Sequence, residues 1–142
     1  IENTLEKFTE ICEDVIVNIP EVRGATDTLK SLNKYGKTLF ISSLTPEATL
    51  NNIIKRRGMD HYFEYIFGSP DQKVSHLLSI QKRTSVEKDR IVYIGDSKND
   101  MSASKKFGCE YIGIGEDYLQ YDQKPDYYFS DYTNFLEGIC NE

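Results

Sequence analysis

Ile91-Val92-Tyr93-Ile94-Gly95-Asp96-Ser97-Lys98-Asn99-Asp100 reads as a buried strand that runs into a turn carrying two carboxylates. Four apolar or aromatic residues precede Gly95-Asp96-Ser97, and Asp100 follows Asp96 by four positions. Open α/β sheets bind ligands outside the carboxyl ends of their strands, so chemistry is expected at this turn. Two like charges so close repel, and one tends to keep its proton unless a cation lies beside them. Oxygen ligands of this kind suit Mg²⁺, which takes one or two carboxylates together with waters and a phosphate. The ordinary alternative is that an Asp, or Asn99, caps the helix that follows.

Outward from this turn, strand patterns alternate with helical ones. Gly24 to Tyr35 predicts a helix with Leu29 and Leu32 inward, stopped by Gly36. Lys37 to Ser42 predicts a buried strand, and Thr45 with Pro46 opens a helix reaching Gly58. Phe63 to Phe67 is the next expected strand, closed by Gly68-Ser69-Pro70. A helix from about Asp71 to Lys82 carries Val74, Leu77, Leu78 and Ile80 toward the core. After the Arg90–Gly95 strand come a helix from Asn99 to Phe107, a strand from Glu110 to Gly115, a short strand at 127–129 and a helix from about Tyr132 to Cys140. This alternation predicts an α/β fold: a Rossmann-like, doubly wound parallel sheet with helices on both faces. Asn3 to about Val17 is a further helical pattern, ended by Pro20, and is expected to lie outside that domain.

The 142 residues suit one domain, able to bury roughly two thirds of its unfolded surface. A net charge of -6 provides no basic footprint for nucleic acid and makes an anionic membrane surface an unfavourable partner. No apolar run has the length of a membrane span. Cys12, Cys109 and Cys140 are far apart, with no zinc-ligand spacing, and read as reduced thiols of a cytoplasmic protein. His61 and His76 are isolated in sequence and read as structural or solvated. The aromatic tail, Tyr118 to Tyr132, is expected to pack the last strand and helix.

Two more polar stations accompany the carboxylates. Ser42 ends the strand Leu39-Phe40-Ile41, where a hydroxyl and the N–H groups of a helix N-terminus bind a phosphate oxygen; a serine satisfying its own turn is the alternative. Lys73 sits at a helix start, mildly unfavourable for the dipole by a few tenths of a kcal/mol, which suits a residue aimed at an anion. All three stations belong on one sheet edge.

In this order, Phe40-Ile41-Ser42-Ser43, Lys73 and Gly95-Asp96-Ser97-Lys98-Asn99-Asp100 resemble the second, third and fourth motifs of the haloacid dehalogenase-like (HAD) superfamily. Pro20-Glu21-Val22-Arg23-Gly24 and the stretch Gly108 to Gly115 resemble the flanking text. The resemblance implies a Mg²⁺-dependent phosphatase acting on a small phosphorylated metabolite through an aspartyl-phosphate. It gives Ser42, with Ser43, the transferring phosphoryl group and Lys73 the neutralisation of charge. Asp96 would then bind Mg²⁺ directly, supported by Asp100, with Asn99 orienting nearby groups. A phosphomutase of the same superfamily and a non-catalytic phosphate- and Mg²⁺-binding module are the alternatives.

One departure is large. The family's first motif, an apolar strand ending in Asp-x-Asp that holds the nucleophile, is not in this sequence. Residues 1–19 resemble the remnant of a helical cap, and residues 20–142 the α/β core without its first strand. In the family that strand lies between those ending here at Ser42 and Gly95. It is therefore expected from a segment outside this sequence, from a second chain, or to be replaced by rearranged pairing. Direct hydrogen bonding between the strands of Ser42 and Gly95 would refute the first two options.

Overall fold

The computed structural model describes residues 21–140; the expected cap helix and Cys12 fall outside them. The element order is α1 (Ala25–Lys34), β1 (Phe40–Pro46), α2 (Glu47–Arg56), β2 (Tyr65–Ser69), α3 (Lys73–Thr84), β3 (Val92–Gly95), α4 (Lys98–Phe107), β4 (Glu110–Ile114), β5 (Tyr127–Phe129) and α5 (Phe135–Cys140). Every strand pair is parallel, as an alternating β/α chain requires. The α/β class is therefore as read from sequence.

The strands form two sheets, not the single sheet expected. β1 pairs with β2, and β3, β4 and β5 follow in that order. Within the first, Ile41 lies opposite Ile66 and Ser42 opposite Phe67, with an irregularity before Pro46 meets Ser69. No backbone ladder joins β1 to β3. What joins the sheets is side-chain packing. Phe67, Leu77, Ile80, Ile91, Tyr93, Met101, Phe107, Cys109 and Tyr111 make one buried cluster, and Phe40 of β1 packs against it. A second cluster on the other face of β4 unites Ile112, Ile114 and Phe135, covered by the aromatic tail residues Tyr127, Phe129 and Tyr132.

Several boundaries move, each for a local reason. β1 begins at Phe40 and runs on to Pro46, which is itself the N-cap of α2 (φ -52, ψ 135). Thr45 does not cap: it is still in the strand, one residue before the cap, and its hydroxyl meets Ser43 Oγ at 3.2 Å. α3 starts at Lys73, since Gln72 is still extended. Its buried stripe is His76, Leu77 and Ile80, whereas Leu78, expected inward, is 52% exposed. β3 was expected to be buried, yet only alternate residues are: Tyr93 is covered, while Val92 is 46% and Ile94 37% exposed. Those two side chains share a face, as the period-two geometry of a strand demands.

Candidate active site

Lys73, at the first position of α3, reaches across to α4 and places Nζ 2.5 Å from Asp100 Oδ1. Both side chains are largely covered, at 18% and 8% exposure. Asp100 collects further donors. Its Oδ2 accepts from the N–H groups of Asp96 (3.1 Å) and Ser97 (3.2 Å) and from Ser97 Oγ (3.0 Å). Ser97 is the N-cap of α4, and Asp100 closes a capping box with it. The cap is therefore neither an Asp nor Asn99, as the alternative had it; Asp100 supports the cap from the third helical position and also meets Lys73. Burial pushes the Asp100 carboxyl up, but the Lys73 ammonium and the surrounding donors outweigh it and hold the group below the usual carboxylate range.

Gly95 makes this approach possible. A Cβ there would stand 2.4 Å from Asp100 Cβ and 2.6 Å from its Cγ, so no larger residue lets the carboxylate fold back over the strand end.

Ser42 is brought to the same place by a residue that sequence reading left aside. His76 is 1% exposed, with Nδ1 2.7 Å from Ser42 Oγ and Nε2 3.0 Å from the Gly68 carbonyl. A carbonyl only accepts, so Nε2 carries the proton; in the neutral ring Nδ1 is then the acceptor, and Ser42 donates to it. Tyr93 OH lies 3.3 Å from Ser42 Oγ and 3.3 Å from Asp100 Oδ1, its one proton shared between them. Burial, assisted by the Asp100 charge, pushes the Tyr93 phenol well above its ordinary value, so it stays protonated. A continuous polar chain therefore runs from Gly68 through His76, Ser42 and Tyr93 to Asp100 and Lys73. It crosses between β1 and β3, where no backbone bonds do. Of the two readings offered for His76, structural or solvated, the structural one holds, and its partner is Ser42. His61 is exposed and packs on Tyr62. The missed signal was the spacing Lys73, His76, Leu77, Ile80, which is i, i+3, i+4, i+7 and marks one helix face.

Ser43 turns the other way. Its Oγ accepts from the N–H of Thr45 at 3.1 Å and donates to Thr45 Oγ1, the self-satisfying turn weighed as the alternative for a strand-end serine. Asn99 is exposed on the first turn of α4, outside the chain of bonds. Asp96 is exposed at the tip of the turn, and its carboxylate takes no part in the bonds that fix Asp100. Burial pushes the Cys109 thiol up to about 11, as expected of an inert core thiol.

Does this donor set suit Mg²⁺? Among the described residues no group of three His, Cys, Asp or Glu side chains gathers as a cage. Asp96 offers one open carboxylate, and Asp100 a second that is already engaged by Lys73. Mg²⁺ keeps several waters and uses one or two carboxylates, so the set suits a partial, water-rich site. None of the helices among the described residues is long and apolar enough to cross a membrane.

A family profile for haloacid dehalogenase-like hydrolases matches residues 1–114. Among curated proteins, the chain is similar to the phosphoglycolate phosphatase of Salmonella typhimurium, 25% identical over 141 residues covering 93% of this chain and 55% of that protein. It is also similar to the phosphoglycolate phosphatase of Pseudomonas fluorescens strain Pf0-1, 28% identical over 125 residues, 82% of this chain and 45% of the other. The chain thus spans about half the length of these curated relatives. Among solved structures, a HAD-superfamily hydrolase from Ehrlichia chaffeensis superposes with a TM-score of 0.74 at 25% identity, covering 87% of this chain and 60% of the other. A predicted phosphoglycolate phosphatase from Haemophilus somnus gives 0.77 at 24%, covering 89% and 60%. Its match shows the fold. With the profile spanning most of the sequence, the chain belongs to the haloacid dehalogenase-like hydrolases.

Proposed function

We propose that this chain carries the phosphate- and Mg²⁺-binding part of a phosphoric monoester hydrolase acting on a small phosphorylated metabolite in the cytoplasm. The observation that supports it best is the convergence of Lys73, Asp100 and Ser42 at the carboxyl ends of β1 and β3, with the Asp96 carboxylate open beside them. Lys73 offsets the charge of an incoming phosphate and of the carboxylates around it. Asp96 holds Mg²⁺, while Asp100 fixes the turn and orients the ion's waters. Bound there, Mg²⁺ would supply Lewis-acid polarisation of a phosphoryl oxygen. Ser42 forms the hydroxyl side; in this reading Ser43 joins it only by giving up its bonds to Thr45, and Asn99, exposed on the first turn of α4, orients the substrate. The phosphoglycolate phosphatases it resembles make a small phosphorylated carboxylate the first substrate to test.

The nucleophile of this reading is a carboxylate on a strand seated between β1 and β3, supplied by a further segment or a second chain. Two facts support that seat: the facing strands share no backbone hydrogen bond, and side chains alone bridge the space between them. Such a carboxylate would attack phosphorus as the ester P–O bond breaks and the alcohol leaves with a proton, and water would then cleave the aspartyl-phosphate to inorganic phosphate and the free carboxylate.

The test is turnover of an aryl phosphate with Mg²⁺. The 142-residue chain alone is expected to be inactive. Joined to an apolar strand ending in Asp-x-Asp, it is expected to gain activity that Lys73→Ala or Asp96→Asn lowers by about 100-fold or more. Activity that survives both substitutions overturns the mechanism. Mg²⁺-dependent phosphate binding without turnover in the joined protein would instead favour a binding module.

A further inference from the structure

The backbone of the Asp96 turn is tied at nearly every polar group. Asp96 N–H and Ser97 N–H go to Asp100. The Ser97 carbonyl accepts from Tyr111 OH at 3.1 Å and from Met101 N–H at 3.2 Å. The two remaining groups are taken by one side chain from a distant loop. Gln120, in the 3₁₀ turn Tyr118–Gln120 between β4 and β5, donates Nε2–H to the Asp96 carbonyl at 2.8 Å. Its Oε1 accepts the Lys98 N–H at 3.0 Å. A second Nε2–H donation, to the Asp117 carbonyl at 3.0 Å, anchors the amide to its own loop. All three polar positions of the amide are thus used.

The consequence is geometric. One planar group spans the peptide units on both sides of Ser97, so the direction in which Asp96 leaves the backbone is fixed from outside α4. We propose that Gln120 is a positioning residue, a clamp that presets the Asp96 carboxylate for a divalent cation. This rests on the assignment of Asp96 to Mg²⁺ made above. Gln120 does not touch the ion; it acts through the peptide groups that carry the ligand. Outer partners of this kind are typically worth 10–100-fold in metal affinity.

The experiment is a Mg²⁺ titration of the 142-residue chain, followed at the Ser97 and Lys98 amides by NMR, with hydrogen exchange at Lys98 and the melting temperature recorded on the same samples. Gln120→Ala removes the clamp, and Gln120→Met removes its bonds while keeping a side chain of similar length. Both are expected to weaken Mg²⁺ about 10-fold and to speed exchange at the Lys98 amide, with the melting temperature within a few degrees of the parent. Gln123→Ala, on the same exposed loop, is expected to behave as the parent does. Unchanged affinity in both Gln120 variants overturns the clamp while leaving Asp96 as ligand. Affinity that falls only in step with melting temperature also overturns it, since that is a general loosening. If the parent chain shows no titration that Asp96→Asn abolishes, the metal assignment fails and the clamp's purpose fails with it.

Discussion

The turn after β1 and the turn after β3 both end a parallel strand, both start a helix, and both carry the polar groups of the candidate site. They are built differently. At Ser42–Glu47, where β1 passes into α2, Ser43 bonds Thr45 two residues on, and only Ser42 reaches away, to His76 and Tyr93. At Gly95–Asp100 one carboxylate is the hub for Lys73, Tyr93 and three donors of its own turn. Local bonds hold a turn whatever lies beside it, whereas a hub holds it only while the neighbouring elements stay in place. The second turn should therefore be the more costly to damage and the more sensitive to its surroundings.

Asp100→Ala puts that contrast to its hardest test. It strips the acceptor from a largely covered ammonium and from three turn donors, and is expected to cost about 3–5 kcal/mol in urea denaturation. A cost near that of an ordinary surface substitution would mean the hub is decorative. The same carboxylate sets a pH dependence. Its folded pKa is lowered, so its contribution is complete above the ordinary carboxylate value of about 3.9 and is lost as pH falls below that toward the lowered one. Melting temperature measured from pH 6 down to pH 2 should drop more steeply for the parent than for Asp100→Asn.

Gly68→Ala probes the first turn by its closest approach. A Cβ at Gly68 would meet the Thr45 carbonyl oxygen at 2.5 Å and Glu47 Cα at 2.6 Å, backbone atoms with little room to give. A loss of about 1–3 kcal/mol is expected, read by the same denaturation. The smallest effect separates the two serines. Ser42→Ala leaves His76 Nδ1 buried without a donor and should cost about 1–2 kcal/mol, while Ser43→Ala, losing local bonds only, should cost less than about 1 kcal/mol. Equal costs would erase the distinction between the serine that bridges and the one that turns on itself.

The order of elements and the three stations are written in local patterns, and local patterns are what a sequence displays. Lys73 was placed by its awkward position at a helix start, and the Asp96–Asp100 pair by its spacing. The cap itself is Ser97, where the turn chemistry of the sequence points to an Asp or Asn99. What escaped depends on distance through space. Gln120 lies 24 positions from Asp96 in an exposed loop, and nothing in its neighbours announces a bond to that turn. His76 was legible in principle, because it shares the stripe of Lys73, Leu77 and Ile80, but Leu78 competed for the inward side on hydrophobicity alone. The division into two sheets was not written in periodicity either. Val92 and Ile94 look like core residues until the strand's partners are known.

One feature of the molecule bears on how it can be watched. The sequence has ten tyrosines and no tryptophan, so its near-ultraviolet emission comes from phenol rings alone. Tyr111 stands 6.0 Å from Tyr121, and Tyr121 6.1 Å from Tyr128, with Tyr118 4.9 Å beyond. Tyr93 stacks 6.4 Å on the other side of Tyr111. This relay ends on the carboxylate turn at two points, through Tyr111 OH on the Ser97 carbonyl and Tyr93 OH on Asp100. Rings so closely spaced exchange excitation among themselves, and two of them bond the turn of the candidate metal site. The protein carries a native optical reporter there, with no probe attached and no tryptophan signal to mask it.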